Sequence, residues 1–160
     1  MPTIEEIITD VIKREGPETN DPLDKGGRTA FGISEKSNPA AWADNVVTEE
    51  EARALYEKKY VEGPGFKRIH DPYLKTQLID YGVNSGPQLA IMELQKILKV
   101  TVDGSIGPET LGAIDRVDNR HLNNMLVRAR VKMFGRIVKK DISQVRFLEG
   151  WLDRALQFLL

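Results

Sequence analysis

Hydrophobic residues recur every three to four positions along most of this chain, a spacing typical of amphipathic α-helices. The first apolar stripe is formed by Ile4, Ile7, Ile8, Val11 and Ile12. Thr3 and Glu6 have the spacing of a capping box at its start, and Pro17 disfavours helical geometry at Gly16. The pattern therefore predicts a helix that begins after Thr3 and ends near Gly16.

Six further stretches show the same periodicity, several of them with start signals. Thr48 and Glu51 form a second candidate capping box, for a helix that extends to about Val61. Proline is favoured at the first position of a helix, and three of the stretches begin with one. The six predicted helices begin near Thr48, Asp71, Pro87, Pro108, Leu122 and Asp141.

Residues 16–34 have a different composition, GPETNDPLDKGGRTAFGIS. Glycine, proline and short polar side chains favour turns, and the alternation in RTAFGI is compatible with a short strand or hairpin. A long irregular segment within a compact domain is often functional. We therefore expect one mainly α domain over residues 1–160, with a small β-hairpin or loop region after the first helix.

Composition excludes several classes of site. The chain has no cysteine, which excludes disulfides and cysteine-held metals, and its two histidines do not support a zinc hydrolase. We expect no metal and no cofactor. No run of 18 apolar residues exists, so we expect no stable membrane insertion. The N-terminus lacks the basic and apolar stretches of a Sec-type signal peptide, which predicts a cytoplasmic location before release.

Charge is distributed unevenly. Residues 1–63 carry six more acidic than basic residues, and residues 120–160 carry six more basic than acidic ones. This asymmetry fits two solvated faces of the fold, or a basic surface that meets an anionic polymer. A nucleic acid is the less favoured polymer, because the first 63 residues would repel it.

Acidic side chains gather around the irregular segment. Glu15 ends the first helix, where a negative charge is unfavourable, and Asp24 lies in the loop. A glycosidase needs one carboxyl group that donates a proton and a second that is ionised. We take Glu15 as the candidate acid and Asp24 as the second carboxylate, with Asp21 and Glu18 as alternatives. Thr29 could position a water molecule or be an ordinary strand residue.

Three segments carry a resemblance to a known family. Residues 14–34, REGPETNDPLDKGGRTAFGIS, resemble the opening motif of glycoside hydrolase family 108 lysozymes. Residues 78–114, from LIDYGVNSGP to ETLGAI, are similar to that family's C-terminal peptidoglycan-binding segment, and FLEGWLDRA at 147–155 is similar to its closing motif. The resemblance covers nearly the whole chain, in the family's order.

The resemblance implies an N-acetylmuramidase with a lysozyme-like helical fold. It implies cleavage of the β-1,4 bond between N-acetylmuramic acid and N-acetylglucosamine, with Glu15 as the catalytic acid. The Glu15, Asp24 and Thr29 series also resembles that of T4-type phage lysozymes, in which the threonine lies one position further along. The Gly26-Gly27 pair is retained from the family motif and is a candidate for substrate contact.

The resemblance also implies an organisation and a biological role. Residues 1–85 would carry the catalytic motif, and residues 86–160 would be a helical portion with the wall-binding-like segment, fused into one body. The run DGSIGPET would bind peptidoglycan or form a glycine-rich turn before a helix. The protein would be a monomeric phage endolysin that reaches bacterial peptidoglycan through a holin-type pore.

Additional substrate contacts remain open. Asn84 could bind an N-acetyl group or cap a helix. Tyr81, like Tyr56 and Tyr60, could stack on a sugar or belong to the core, and Trp42 is a candidate for the wall of the cleft. Two alternative functions are a lytic transglycosylase and a non-catalytic cell-wall-binding module.

Overall fold

The computed structural model describes residues 2–16 and 28–160. These residues form two compact units, an N-terminal unit within residues 2–63 and a C-terminal unit of residues 64–160. The described part contains seven α-helices and one two-stranded antiparallel sheet. The predicted fold class, mainly helical with a small hairpin after the first helix, is confirmed.

The N-terminal unit pairs two helices with the hairpin. Its elements are α1 (Ile4–Glu15), β1 (Thr29–Ala30), β2 (Ile33–Ser34), a 3₁₀ turn (Pro39–Trp42) and α2 (Glu49–Glu57), which continues as a π-helix (Lys58–Glu62). In the sheet, Thr29 pairs with Ser34 and Ala30 with Ile33. The buried stripe of α1 packs in this unit with α2, whose buried residues are Ala52 and Tyr56.

Both predicted capping boxes are present. At α1, the Glu6 amide donates to Thr3 Oγ1 at 3.1 Å, and the Thr3 amide donates to Glu6 Oε2 at 2.7 Å. At α2, Thr48 and Glu51 make the same reciprocal pair. Each box satisfies two amides that a helix start leaves without partners, so both helices begin where the sequence predicts.

The C-terminal unit is entirely helical in its regular structure. It contains α3 (Pro72–Ser85), α4 (Pro87–Leu98), α5 (Pro108–Ile114), α6 (Asn119–Lys140), a 3₁₀ segment (Ile142–Phe147) and α7 (Leu148–Leu156). The centre of this unit is α3, which buries a continuous run from Thr76 to Gly82 and contacts both α4 and α6. Three of these helices begin at the predicted prolines.

The last predicted helix differs in detail. Asp141 accepts a hydrogen bond from the Ser143 amide, and the chain first forms the 3₁₀ segment before α7 begins at Leu148. Leu156 and Leu159 are exposed: Leu156 is the last residue of α7, and the chain beyond it no longer follows helical spacing. No helix in the described part has the length and hydrophobicity that crossing a membrane requires.

Candidate active site

Glu15 lies at the wall of a cavity in the N-terminal unit. It is the last residue of α1, its side chain is exposed, and the cavity has a volume of about 610 Å³. The other lining residues come from the hairpin and from the end of α2 with its π-helical extension. Polar and aromatic residues on these walls include Asn38, Tyr56, Lys58, Lys59 and Tyr60. The acid therefore faces a space large enough for part of a polysaccharide chain.

The hairpin turn brings its backbone against Glu15. Phe31 and Gly32 connect the two strands with φ angles of 51° and 76°, the positive values that a tight two-residue hairpin requires at both positions. An added Cβ at Gly32 would lie 2.8 Å from Glu15 Cγ and would clash with the Tyr56 hydroxyl oxygen. The close approach of the hairpin to the acid thus depends on the absence of a side chain at Gly32.

Tyr56 holds this turn and lies in the field of Glu15. Its hydroxyl donates to the Phe31 carbonyl at 2.9 Å. Burial, followed by the nearby negative charge of Glu15, raises the pKa of Tyr56 to about 12. The Tyr56 hydroxyl therefore stays neutral over the physiological range, where it can donate a hydrogen bond.

Aromatic and cationic groups continue along the cavity. The Tyr60 ring stacks on Tyr56 with 5.8 Å between ring centroids and 14° between planes. The Lys59 ammonium lies 5.1 Å from the Tyr60 centroid. A flat aromatic face suits a sugar ring, and ammonium groups attract carboxylates, so this wall suits an anionic polysaccharide.

The remaining predicted catalytic residues have different positions. Thr29 is half-buried in β1 opposite Ser34, and it does not line the cavity beside Glu15. Asp24, the Gly26-Gly27 pair and the alternatives Asp21 and Glu18 lie outside the described residues. The roles of Asp24 and Thr29 stay predictions.

The predicted substrate contacts Asn84 and Tyr81 both lie on α3, in the C-terminal unit. Tyr81 is fully buried and its hydroxyl donates to Met133 Sδ at 3.4 Å. Its burial favours the core alternative, because a sugar can stack only on an accessible ring. Asn84 is exposed near the end of α3, and its amide donates to the Asp80 carbonyl at 2.7 Å.

Trp42 is not the cleft residue that we expected. It is buried, its indole donates to the Ile33 carbonyl at 3.1 Å, and the Arg28 guanidinium lies 4.8 Å from its ring centroid. This hydrogen bond joins β2 to the 3₁₀ turn that contains Trp42. The irregular sequence around it gave no indication of this packing.

The run DGSIGPET forms the turn before α5. Buried Gln95 organises it: its amide nitrogen donates to Asp103 Oδ1 at 2.7 Å, and its oxygen accepts from the amides of Asp103 and Gly104 at 3.1 and 2.9 Å. These bonds favour the structural alternative for the run. Among the described residues, no cluster of three or more histidine, cysteine or acidic side chains could hold a metal.

Comparison with known proteins matches two family models to this chain. Residues 8–86 match the family model for Glycosyl hydrolase 108, and residues 89–156 match the family called Predicted Peptidoglycan domain. The chain thus carries a region that matches Glycosyl hydrolase 108, followed by a region that matches the Predicted Peptidoglycan domain. The hydrolase match begins within α1 at residue 8, covers the hairpin and α2, and continues through α3.

A solved structure supports the same assignment. The chain is similar to the "Structure of Brucella abortus SagA", with a TM-score of 0.70, 25% sequence identity, and coverage of 96% of this chain and 90% of that chain. No curated protein matches the chain. The two family matches and this neighbour support a glycoside hydrolase that acts on peptidoglycan.

Several lining residues of the hydrolase cavity escaped sequence analysis. Gly32, Asn38, Lys58 and Lys59 line the cavity, yet none lies in a pattern that distinguishes it from ordinary surface or turn residues. Gly32 had a usable signal, because glycine between two short strands predicts a positive φ. The two lysines had none, since exposed lysines are common on helices.

Proposed function

We propose that this chain is an N-acetylmuramidase that hydrolyses the β-1,4 bond between N-acetylmuramic acid and N-acetylglucosamine. The observation that carries the proposal is the position of Glu15, at the wall of a cavity that also presents Tyr56, Tyr60 and two lysines. The family match to residues 8–86 supports the glycosidase class. The match to residues 89–156 supports peptidoglycan as the substrate.

In the proposed reaction Glu15 donates a proton to the glycosidic oxygen as its bond to the anomeric carbon breaks. Positive charge then develops on the sugar that keeps the anomeric carbon. We assign Asp24 to stabilise that charge or to activate water. Water supplies the hydroxyl group of the new reducing end, and its remaining proton returns to the carboxyl pair.

The cavity walls supply positioning. Tyr60 offers its ring to a sugar, and Lys58 and Lys59 provide positive charge for the carboxylates of peptidoglycan. Tyr56 and Gly32 fix the hairpin beside Glu15, so that the acid and the bound sugar keep a constant separation. Thr29 lies on the same hairpin outside the cavity wall, so the water-orienting role that we propose for it rests on the sequence resemblance alone.

The test is digestion of purified peptidoglycan by the Glu15→Gln variant. We expect release of reducing ends to fall to background, while the helical circular dichroism spectrum stays unchanged. Glu5→Gln is the matched control, since Glu5 is an exposed acid in the first turn of the same helix, and it should retain full activity. Full activity in Glu15→Gln would refute the assignment.

Product analysis separates the competing reactions. Digestion in ¹⁸O-water should place the heavy oxygen at the new reducing N-acetylmuramic acid, as hydrolysis requires. A 1,6-anhydro product without the label would instead identify a lytic transglycosylase. Binding to sacculi with no new ends would identify a wall-binding module.

We further propose, on the sequence resemblance, a monomeric phage endolysin that accumulates in the cytoplasm and reaches the wall through a holin-type pore. Expression in a bacterial host tests this route. Lysis should require co-expression of a holin, and lysis by the chain alone would contradict it. Sedimentation of the purified chain measures the oligomeric state.

A further inference from the structure

A second cavity lies wholly within the C-terminal unit. Its volume is about 130 Å³, and it shares no residue with the cavity beside Glu15. Its walls come from the end of α3, from α6 and from α7. We call it the Arg130 cavity, after the buried arginine that lines it.

The charges around this cavity do not balance. Asp80 is fully buried and forms ion pairs with two arginines, with 2.7 Å from Oδ2 to Arg130 Nη2 and 2.7 Å from Oδ1 to Arg154 Nη2. One carboxylate thus faces two guanidinium groups, which leaves an excess of one positive charge. Burying a charge without a counter-charge is costly, so the excess favours an anionic ligand.

Arg130 also has unused hydrogen-bond donors. Its side chain is 1% exposed, and its Nε and Nη1 atoms have no hydrogen-bond partner among the described residues. Its guanidinium lies 5.0 Å from the Tyr81 ring centroid and 5.6 Å from that of Phe158. Ring contacts engage the face of a guanidinium, whereas its N–H groups lie in its plane and still require acceptors.

The other walls define the size and polarity of the ligand. Met133, Phe134, Ile137 and Trp151 form an apolar side, with the Phe134 and Trp151 rings 5.5 Å apart. Asn84 also lines the cavity. The space is smaller than an ordinary pocket for a whole ligand, so it suits the end of a larger molecule: a carboxylate beside a small aliphatic group.

We propose that the Arg130 cavity binds such a carboxylate within peptidoglycan. For the class of its ligand this inference rests on the proposed function. Two parts of the polymer carry this chemistry, namely the terminal D-alanine of a wall peptide and the lactyl group of an N-acetylmuramic acid whose carboxylate is not amide-linked to a peptide. Arg130 and Arg154 bind the carboxylate, and the apolar wall contacts the adjacent methyl group.

The experiment is an NMR titration of the full chain with small probes that contain no glycosidic bond and are therefore not turned over. The probes are D-alanyl-D-alanine and N-acetylmuramic acid, with D-alanyl-D-alaninamide and N-acetylglucosamine as their controls without a carboxylate. We expect at least one acid to shift the Trp151 indole and Arg130 Nε–H signals, and its control to shift neither. The responding acid identifies which part of the polymer is bound.

Variants test whether the signals report this cavity. Arg154→Gln should weaken binding by about tenfold or more, as expected for loss of a charged hydrogen bond. Ile137→Phe fills the apolar side without changing either arginine and should abolish binding, which keeps the test informative if Arg154→Gln does not fold. Arg128→Gln, an exposed arginine on the same helix, should bind as the parent does.

Three results would overturn the inference: no response to either acid, an equal response to the controls, or full binding by both Arg154→Gln and Ile137→Phe. The outcome is independent of catalysis. Cleavage of peptidoglycan by Glu15→Gln would refute the proposed catalytic role of Glu15, but it would not change the binding result from the titration.

Discussion

Gly32 lies directly against Glu15, with no room for a side chain between them. A Cβ atom at Gly32 would be 2.8 Å from Glu15 Cγ and 3.2 Å from its carboxyl carbon. Both distances are below van der Waals contact, and the first requires one of the two residues to move. The position of the proposed catalytic acid is therefore set by the hairpin turn as well as by the end of α1.

We expect Gly32→Ala to reduce both stability and activity. The substitution adds the clash to the strain of a positive φ, which alone costs about 1–2 kcal/mol. Displacement of Glu15 by an ångström should lower turnover by about 10²-fold. Urea unfolding and reducing-end release measure the two effects. Gly150→Ala is the control, because nothing lies within 4 Å of the added atom, and it should leave activity unchanged. Equal activity and stability of the two variants would contradict the close contact between Gly32 and Glu15.

The pKa of Tyr56 should report the charge on Glu15. Burial and Glu15 together raise it to about 12, so tyrosinate absorbance from Tyr56 should appear near pH 12. In Glu15→Gln the same transition should move to lower pH, because a negative neighbour has been removed. An unchanged transition would show that the two groups do not interact.

The raised pKa of Tyr56 also gives a pH dependence of stability. Because the pKa of Tyr56 is higher in the folded protein than its ordinary value near 10, the neutral hydroxyl contributes to the free energy of unfolding below pH 10. This contribution is lost as the pH rises from 10 towards 12. Tyr56→Phe should therefore flatten the alkaline fall in unfolding free energy. At pH 7 it should cost about 1 kcal/mol, from loss of the hydrogen bond to Phe31. A fall as steep as in the parent would exclude this contribution.

Asp80→Asn should strongly destabilise the C-terminal unit. The substitution removes the only ion-pair partner of Arg130 among the described residues, and breaking a buried ion pair at one side costs about 3–5 kcal/mol. Thermal unfolding followed by circular dichroism measures the loss. Asp153→Asn, at an exposed acid on α7, is the control and should change the midpoint little.

Gln95→Ala should loosen the turn before α5. It removes a buried amide that bonds Asp103, Gly104, Ser105 and Thr110, and we expect a cost of at least about 2 kcal/mol. The Gln95 hydrogen bond is also the main cause of the lowered pKa of Asp103, so this pKa should rise towards its ordinary value in an NMR titration. Lys96→Ala, on the exposed face of α4, should do neither.

The helices and the location of the acid could be read from the sequence because their causes are local. Capping boxes at Thr3 and Thr48, and proline at the first position of α3, α4 and α5, act within one turn of the residue concerned. The placement of Trp42 had no such local cause. Its burial depends on the Ile33 carbonyl and on Arg28, which reach it only after the hairpin has folded.

The sequence by itself determined the helical elements, the capped and proline-marked helix starts, the hairpin region and Glu15 as the end of the first helix, since each follows from contacts among near neighbours in the chain. Tertiary structure alone decided that Gly32 and Tyr56 flank Glu15, and that Asp80 lies between Arg130 and Arg154. Those residues are separated by many positions, and packing brings them together only when apolar faces are buried. Periodicity shows which face of a helix is buried, but not which side chains it meets there.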